Sequence, residues 1–263
     1  MNIKIIRHVL IFFLTVFLFS CGTLLNVKRD QLSGVKKIAV VSVYCPAAIT
    51  IDNQRQAPIF FAVDATVQSD LKSQEAIKEF EPRGTMLLKK SQSIVIKKLS
   101  ETFKWNITPV GAFVKSSAYK PLELWSNKNT KNSSSFYVQL NNSSLLWINN
   151  GEVELKQLLS EFCIQTGSDA VLILSFDFAY SKSWFKGSGV SAKARTFIGM
   201  QLVDKKGDLI ISTPRADERE RDFSEMADTT MPLKGWTADI NETTIKTFDS
   251  SIENSSDKVI SML

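Results

Sequence analysis

The chain alternates between two hydrophobic periods after its first 34 residues. Val35 to Tyr44 is an almost unbroken run of β-branched and small apolar residues, which is typical of a strand buried on both faces. Asp169 to Tyr180 has the same character and predicts a second buried strand. Thr85 to Phe103 and Glu152 to Thr166 carry apolar residues at helical spacing, and they predict two amphipathic helices.

Weaker patterns complete the order of elements. Ile107 to Val114 predicts a short strand, and Lys193 to Asp204 with Asp208 to Thr213 predicts a β-hairpin. Glu242 to Leu263 predicts a closing amphipathic helix. The resulting order, β-α-β-α-β-β-β-α, indicates an α/β fold in which helices pack on a mixed sheet of about five strands, in a single domain.

The predicted connections differ greatly in length. If the early strands are parallel, the long insertions near 45–84 and 115–151 both leave the carboxyl ends of strands, while the connections at the opposite edge are brief. An open α/β sheet has its ligand crevice outside the carboxyl ends of its strands, and loops of this length are usually functional or disordered. The sequence therefore predicts a functional edge formed by the long loops.

Large aromatic residues are frequent in these long connections. Aromatic side chains suit partner contacts because they bury much area at little cost in conformational entropy. The alternative is that they pack the loops onto their own domain as satellite clusters. The candidate partner-contact residues are Phe60, Phe61, Trp125, Trp147, Trp184 and Phe185.

The first twenty residues predict export. Lys4 and Arg7 form a positively charged start, and Val9 to Phe19 is an apolar run broken only by Thr15. Eleven helical residues reach about 16 Å, roughly half of a bilayer core. The segment 1–20 is therefore interpreted as a signal peptide and not as a membrane span.

The end of this segment carries a short motif around a cysteine. Leu18-Phe19-Ser20-Cys21-Gly22 resembles the lipobox of bacterial lipoproteins. The resemblance implies cleavage before Cys21 and attachment of acyl chains, such as palmitate, to its thiol and new amine. Residues 21–34 would then form a tether and 35–263 a periplasmic domain. The alternative is an ordinary secretory signal with an incidental cysteine.

Cleavage before Cys21 would also exclude several classes of catalytic site and metal site. His8 is the only histidine of the chain. The remaining chain would therefore lack the histidine that Ser-His-Asp catalysis, Cys-His catalysis and a histidine metal site each require. Loss of Lys4 and Arg7 lowers the formal charge from +5 to +3, which gives no reason to expect nucleic acid. No motif predicts a cofactor or a metal ion.

Two cysteines would remain besides Cys21. Cys45 follows the first strand at the long-loop edge, and Cys163 lies in the last turn of a helix that returns to the other edge. Those edges are about 30 Å apart, which is too far for a disulfide. We therefore expect two free, mostly buried thiols. The same topology predicts that the anchor and the long loops lie at opposite poles. Asp177 and Asp204 could serve as a pair of catalytic carboxylates, but nothing in the sequence indicates that they lie close together.

Three segments carry a second resemblance: Lys36 to Val41, Gly167 to Leu172 and Leu202 to Gly207. Their order resembles the α/β domain shared by several envelope lipoproteins. These are the N-terminal domain of the Tol-system translocation protein, the curli-secretion lipoprotein and the lipoprotein activators of peptidoglycan synthases. The resemblance supports the fold more than a role.

The leading hypothesis is a non-catalytic lipoprotein on the periplasmic face of the outer membrane. It would bind an envelope protein and have an assembly or regulatory role, without nucleic acid or a cofactor. An envelope enzyme with carboxylate or Lys chemistry and a small-ligand carrier are the alternatives. The outer face of the plasma membrane is the alternative location.

Overall fold

The computed structural model describes most of the chain after the N-terminal segment. The described residues are 26–47, 50–52, 74–130, 137–149, 152–184, 190–213, 215, 224–232 and 248–263. For 50–52, 74–80, 180–184, 190–193 and 224–232 only the backbone is described.

Strands and helices follow the predicted order, with additions. The strands are β1 Asn26–Val27, β2 Lys37–Pro46, β3 Thr50–Asp52, β4 Asn106–Thr108, β5 Tyr137–Gln139, β6 Ala170–Trp184, β7 Val190–Asp204, β8 Leu209–Ser212 and β9 Ser224–Pro232. The helices are α1 Arg29–Leu32, α2 Gln74–Phe103, α3 Lys120–Asn129, α4 Val153–Thr166 and α5 Phe248–Met262. Residues 242–247 of the predicted closing helix lie outside the described residues.

All described strands belong to one mixed sheet. Its main order is β1-β8-β7-β6-β2-β4, and β3, β5 and β9 pair beside β6, β2 and β7. β2 is parallel to both β4 and β6, as predicted, because its β-branched run can be buried on both faces. The predicted single α/β domain with a mixed sheet is confirmed, although nine described strands contribute and not about five.

Helices cover both faces of this sheet. α2 and α5 pack on one face, where Val40, Leu172 and Leu202 belong to the larger core. α3 and α4 lie on the other face, over Val41 and Ile173. Successive strand residues point to opposite faces, so the apolar runs of β2 and β6 supply both cores at once.

Two element boundaries differ from the prediction at prolines. The helix predicted from Thr85 begins at Gln74, with Pro82 inside it; local pattern favours a boundary at a proline, and this helix continues through it. The strand predicted over 107–114 ends at Thr108, because Pro109 has no N–H to donate and a 3-10 turn follows at Val110–Ala112.

The hairpin of β6 and β7 is the longest feature of the sheet. Its pairing runs from Ala170 opposite Asp204 to Trp184 opposite Val190, and strands of 15 residues span about 50 Å. β2 and β8 flank only the part near Ala170, while β3 and β9 flank the other end. The predicted β7–β8 hairpin is confirmed, but the principal partner of β7 is β6.

The connections at the two edges of the sheet differ in length. At the edge where β2, β4 and β6 begin, here called the basal edge, the connections are short: 104–105, 167–169 and 205–208. The long connections after β3 and β9 leave toward the opposite, distal edge, which includes the far end of the hairpin. The distal edge also contains the short connection between β6 and β7.

The N-terminal segment of the domain corrects two expectations. The predicted tether 21–34 is folded from Asn26 onward, because β1 pairs with β8 and Leu32 is buried in the larger core. The chain also enters at the lateral edge, beside Ser212, where the connection to β9 begins. We predicted that the point where the chain enters the domain and all of the long loops lie at opposite poles. That prediction is wrong, because the chain enters beside the start of the connection between β8 and β9.

Candidate functional site on the distal hairpin

The distal part of the hairpin presents an unusual row of residues on the α3/α4 face. Strand alternation and the β6–β7 register put Ser175, Asp177 and Ala179 of β6 on the same face as Phe197 and Arg195 of β7. All five are buried. The buried residues on the opposite side of this part of the strands are uncharged: Phe176, Phe178, Ala194, Thr196 and Ile198.

Asp177 and Arg195 are the only charged residues that are buried in the described part of the chain, at 1% and 5% exposure. The Arg195 guanidinium lies over the Phe197 ring, 5.0 Å from its centroid, and Phe197 is directly opposite Asp177. Diagonal positions of this kind are within reach of long side chains. Because both side chains are buried, they act on the packing and register of the hairpin and do not form an open charged surface.

The carboxyl end of β2 adjoins this row. Tyr44 pairs with Ser175 across the strands, and its ring makes an edge contact with Tyr137 of β5 at 5.5 Å between centroids. The next residue, Cys45, points to the α2/α5 face. Burial raises the pKa of the Cys45 thiol well above its usual value, and the charge of Asp177 raises it further.

A segment without regular structure closes the α3/α4 face. Residues 143–148 run from β2 toward β7 and are all buried. Ser42 holds the start of this crossing segment: its hydroxyl donates to the Ser144 carbonyl at 2.7 Å and accepts from the Leu146 N–H at 3.2 Å. A side chain thus supplies hydrogen bonds that a neighbouring strand would otherwise make.

The other end of the crossing segment is held in the same way. The Gln201 side-chain amide accepts from the Ile148 N–H at 2.8 Å and donates to the Ile148 carbonyl at 2.9 Å.

Tyr119 also holds the start of the crossing segment. Its hydroxyl donates to the Val41 carbonyl at 2.6 Å and accepts from the Ser144 N–H at 2.7 Å. Burial raises the pKa of the Tyr119 hydroxyl, which keeps it protonated as the donor.

Both described thiols are free and buried, which confirms the prediction. Cys45 lies in the core of the α2/α5 face and Cys163 in that of the α3/α4 face, so the sheet separates them. Burial raises the pKa of Cys163 to about 12, with smaller contributions from Asp204 and Asp169. Neither thiol is poised to ionise as a nucleophile needs to.

The carboxylates of Asp177 and Asp204 are far apart. Asp204 pairs with Ala170 at the basal edge, seven strand positions from Asp177, or about 23 Å. The Oδ1 atom of Asp204 accepts from the backbone N–H groups of Lys206 and Asp208, both at 2.9 Å. It stabilises the β7–β8 turn.

The six candidate partner-contact residues fall into three groups. Trp125 and Trp147 are 8% and 9% exposed in the core of the α3/α4 face, and this burial favours the alternative, packing onto their own domain. The backbone of Trp184 ends β6 at the distal end of the hairpin. The remaining three lie outside the described residues: Phe60, Phe61 and Phe185.

Sequence reasoning missed the row of Asp177 and Arg195. The signal that could have found it is the alternation of side chains along paired strands. In the observed register of β6 with β7, this alternation puts Asp177 and Arg195 on the same face. The predicted hairpin paired 193–204 with 208–213, so it provided no reason to align Arg195 with the preceding strand.

In the described residues, no group of three or more histidines, cysteines or carboxylates is arranged to hold a metal ion. Among the described helices, none combines the length and the apolar character that a membrane crossing requires.

Comparison with known proteins assigns no family. No family model matches the chain, and no curated protein matches it. Among solved structures, it is similar to the C-terminal domain of LpoB from Salmonella enterica at 12% sequence identity and a TM-score of 0.19, over 66% of this chain and 76% of that one. A similarity of this size does not establish membership of a family.

Proposed function

We propose that this protein is a non-catalytic lipoprotein of the cell envelope that binds a protein partner through its distal edge. The observation that carries the proposal is the lipobox-like motif ending at Cys21, which lies five residues before the first strand of the domain. We place the protein on the periplasmic face of the outer membrane, held by acyl chains on Cys21.

The shape of the hairpin supports the choice of the distal edge. It extends well past the ends of β2 and β8, and the long connections leave beside it. The buried row around Asp177 and Arg195 supports the register of the hairpin, and we infer that the paired strands beyond it form a platform for contact residues. Rigid elements hold contact residues with less loss of entropy on binding than flexible loops do.

Trp184 is the contact residue that this geometry favours most. It occupies the last position of β6, and Phe185 follows it in the sequence. A large aromatic residue at the end of a platform can supply the central anchor of an interface. Phe60 and Phe61, in the connection that follows β3, extend the same proposed surface.

Site-specific photo-crosslinking in cells tests the partner proposal. A photoreactive amino acid at Trp184 should capture one defined envelope protein. The matched control carries the same group at Lys206, which is exposed in the basal β7–β8 turn, and it should not capture that protein. The same capture from both positions, or none from Trp184 in an exported and folded protein, contradicts a distal interface.

Replacement of Cys21 tests the anchor. Wild-type protein should incorporate labelled palmitate and sediment with outer membranes. Cys21→Ser should abolish the label, because the acylated thiol is lost. Ser20→Ala, which keeps a small residue before the cysteine, is the control and should be labelled like wild type. Palmitate label that persists in Cys21→Ser would exclude Cys21 as the lipidation site.

A further inference from the structure

The basal edge carries exposed lysines at the start of β2 and on two of its short connections, 104–105 and 205–208. Lys36 and Lys37 stand at the start of β2, Lys104 joins α2 to β4, and Lys205 and Lys206 form the β7–β8 turn. All five side chains are exposed. They are called the basal lysines below.

Backbone hydrogen bonds hold these connections together. The Asn106 N–H donates to the Lys36 carbonyl at 2.8 Å, and the Lys205 N–H donates to the Asp169 carbonyl at 3.0 Å. The N–H groups of Lys36 and Lys37 donate to Oδ2 of Asp169 at 3.0 and 2.9 Å. The basal lysines therefore project from one rigid edge and not from separate loops.

Two carboxylates at this edge are turned toward the backbone. Asp169 and Asp204 each accept two backbone N–H bonds, and they are less exposed than the lysines. Their short side chains stay close to the main chain, whereas lysine ammonium groups extend outward on long stems. Exposed Asp30, Glu101 and Asp208 offset part of the positive charge, and the Lys104 ammonium donates to the Glu101 carbonyl at 2.9 Å.

The length of chain before β1 limits which part of the domain can meet the membrane. Asn26 is level with Gln201 in the register, since both are opposite Ser212. The basal end of β7 is about 10 Å away on one side, and its distal end at Val190 about 37 Å away on the other. Asn26 is five positions after Cys21, and five extended positions span at most about 17 Å. β1 runs parallel to β7 and toward the basal edge, so a chain that turns back before Asn26 can bring Cys21 to the basal edge. The distal end lies beyond the reach of these five positions.

We propose that the basal lysines dock on anionic phospholipid headgroups of the membrane that holds Cys21. This inference rests on the acylation of Cys21 proposed above. The docked domain keeps its basal edge on the bilayer and its distal edge pointing away from it. Each lysine near an anionic surface shifts the ratio of docked to undocked protein about fivefold.

Energy transfer to a labelled bilayer measures this orientation. The full lipidated protein is reconstituted in vesicles of phosphatidylcholine, with or without phosphatidylglycerol, that contain an acceptor lipid. A donor dye is attached at Ser33→Cys, an exposed basal position, or at Trp184→Cys for the distal end. The two native thiols of the domain are buried, so labelling is selective. The test variant combines Lys37→Gln, Lys205→Gln and Lys206→Gln; the control combines Lys89→Gln, Lys115→Gln and Lys128→Gln.

We expect more transfer from position 33 on vesicles with phosphatidylglycerol than without it, less transfer at high salt, and little transfer from position 184. The test variant should lower the docked-to-undocked ratio on the order of a hundredfold, and the control should leave it unchanged. Equal transfer on both kinds of vesicle, or equal effects of the two triple variants, overturns the inference. Mass spectrometry separates the two proposals: absence of acyl chains contradicts the anchor, whereas acylated protein without oriented docking contradicts this inference alone.

Discussion

In several parts of this domain, individual side chains make the hydrogen bonds that a neighbouring backbone segment would otherwise make. Gln201 bonds both polar groups of Ile148, and Asp169 satisfies two N–H groups before β2. At Gly167 the chain leaves α4 with a φ of +66°, which only a residue without Cβ adopts at little cost. These single positions explain how short connections can close the basal edge.

Asp177 and Arg195 should be energetically coupled. Removing one charge leaves the other buried in a medium where charge is costly. Asp177→Asn and Arg195→Gln should each destabilise the protein, and the double variant should be more stable than the sum predicts, with a coupling energy of about 1–3 kcal/mol. Urea unfolding of the four proteins measures this. Additive losses would show that the two side chains act independently.

Asp169 should make stability depend on acid pH. Its two backbone bonds, first that from Lys37, hold the pKa of its carboxyl below the usual 3.8. A lowered folded-state pKa contributes stability that is complete above the unfolded pKa and is lost as pH falls through the folded value. The free energy of unfolding should therefore decrease below about pH 4, and less steeply in Asp169→Asn. Parallel pH curves for the two proteins would refute this role.

Among the elements, the crossing segment 143–148 shows how the α3/α4 face is closed without a further strand. Its peptide groups bond to Ser42, Tyr119, Ser126 and Gln201. The segment belongs to the insertion predicted near 115–151, where polar residues indicated a loop. Ser126 and Ser143 of this insertion are buried, and the fold provides hydrogen-bond partners for their hydroxyl groups.

Tyr119→Phe should destabilise the domain by about 1–3 kcal/mol, because it leaves the Val41 carbonyl and the Ser144 N–H buried without this partner. Ser126→Ala should have a smaller effect in the same direction. Chemical denaturation followed by circular dichroism checks both. Ser261→Ala is the control, since that hydroxyl is exposed and its loss should change stability by less than about 0.5 kcal/mol. A Tyr119→Phe protein as stable as the control would contradict the account.

At the scale of the whole molecule, β2 and β6 belong to both cores, so the two faces should unfold together. Leu172 and Ile173 are consecutive and contribute to opposite cores. Their basal pairing with β2 makes either core dependent on the same strands. The long hairpin then connects this shared centre to the distal edge.

Leu172→Ala and Ile173→Ala should each lower the free energy of unfolding by about 2–5 kcal/mol. Both variants should retain a single transition when fluorescence and circular dichroism are compared. Ile164→Ala is a matched control, because Ile164 is 71% exposed. Two separate transitions in either core variant would show that the faces fold as independent units.

The α/β order, the parallel centre, the short basal connections and the free thiols were predictable from the chain alone. They depend on hydrophobic period and on residues close in sequence, as in the β-branched run of β2. The lipobox-like motif is equally local and remains a prediction about Cys21. Of the candidate contact residues, the packing of Trp125 and Trp147 was not predictable, because an aromatic residue in a long connection looks the same whether it packs inward or outward.

Tertiary structure decided the remaining features, because they depend on pairing between distant segments. The register of β6 with β7 puts Asp177 and Arg195 on one face, and a shift by one residue would separate them. The pairing of β1 with β8 brings the chain in at the lateral edge and limits the reach of Cys21. A local pattern does not identify the strand with which another strand pairs, because the pairing depends on how the whole sheet buries its apolar residues.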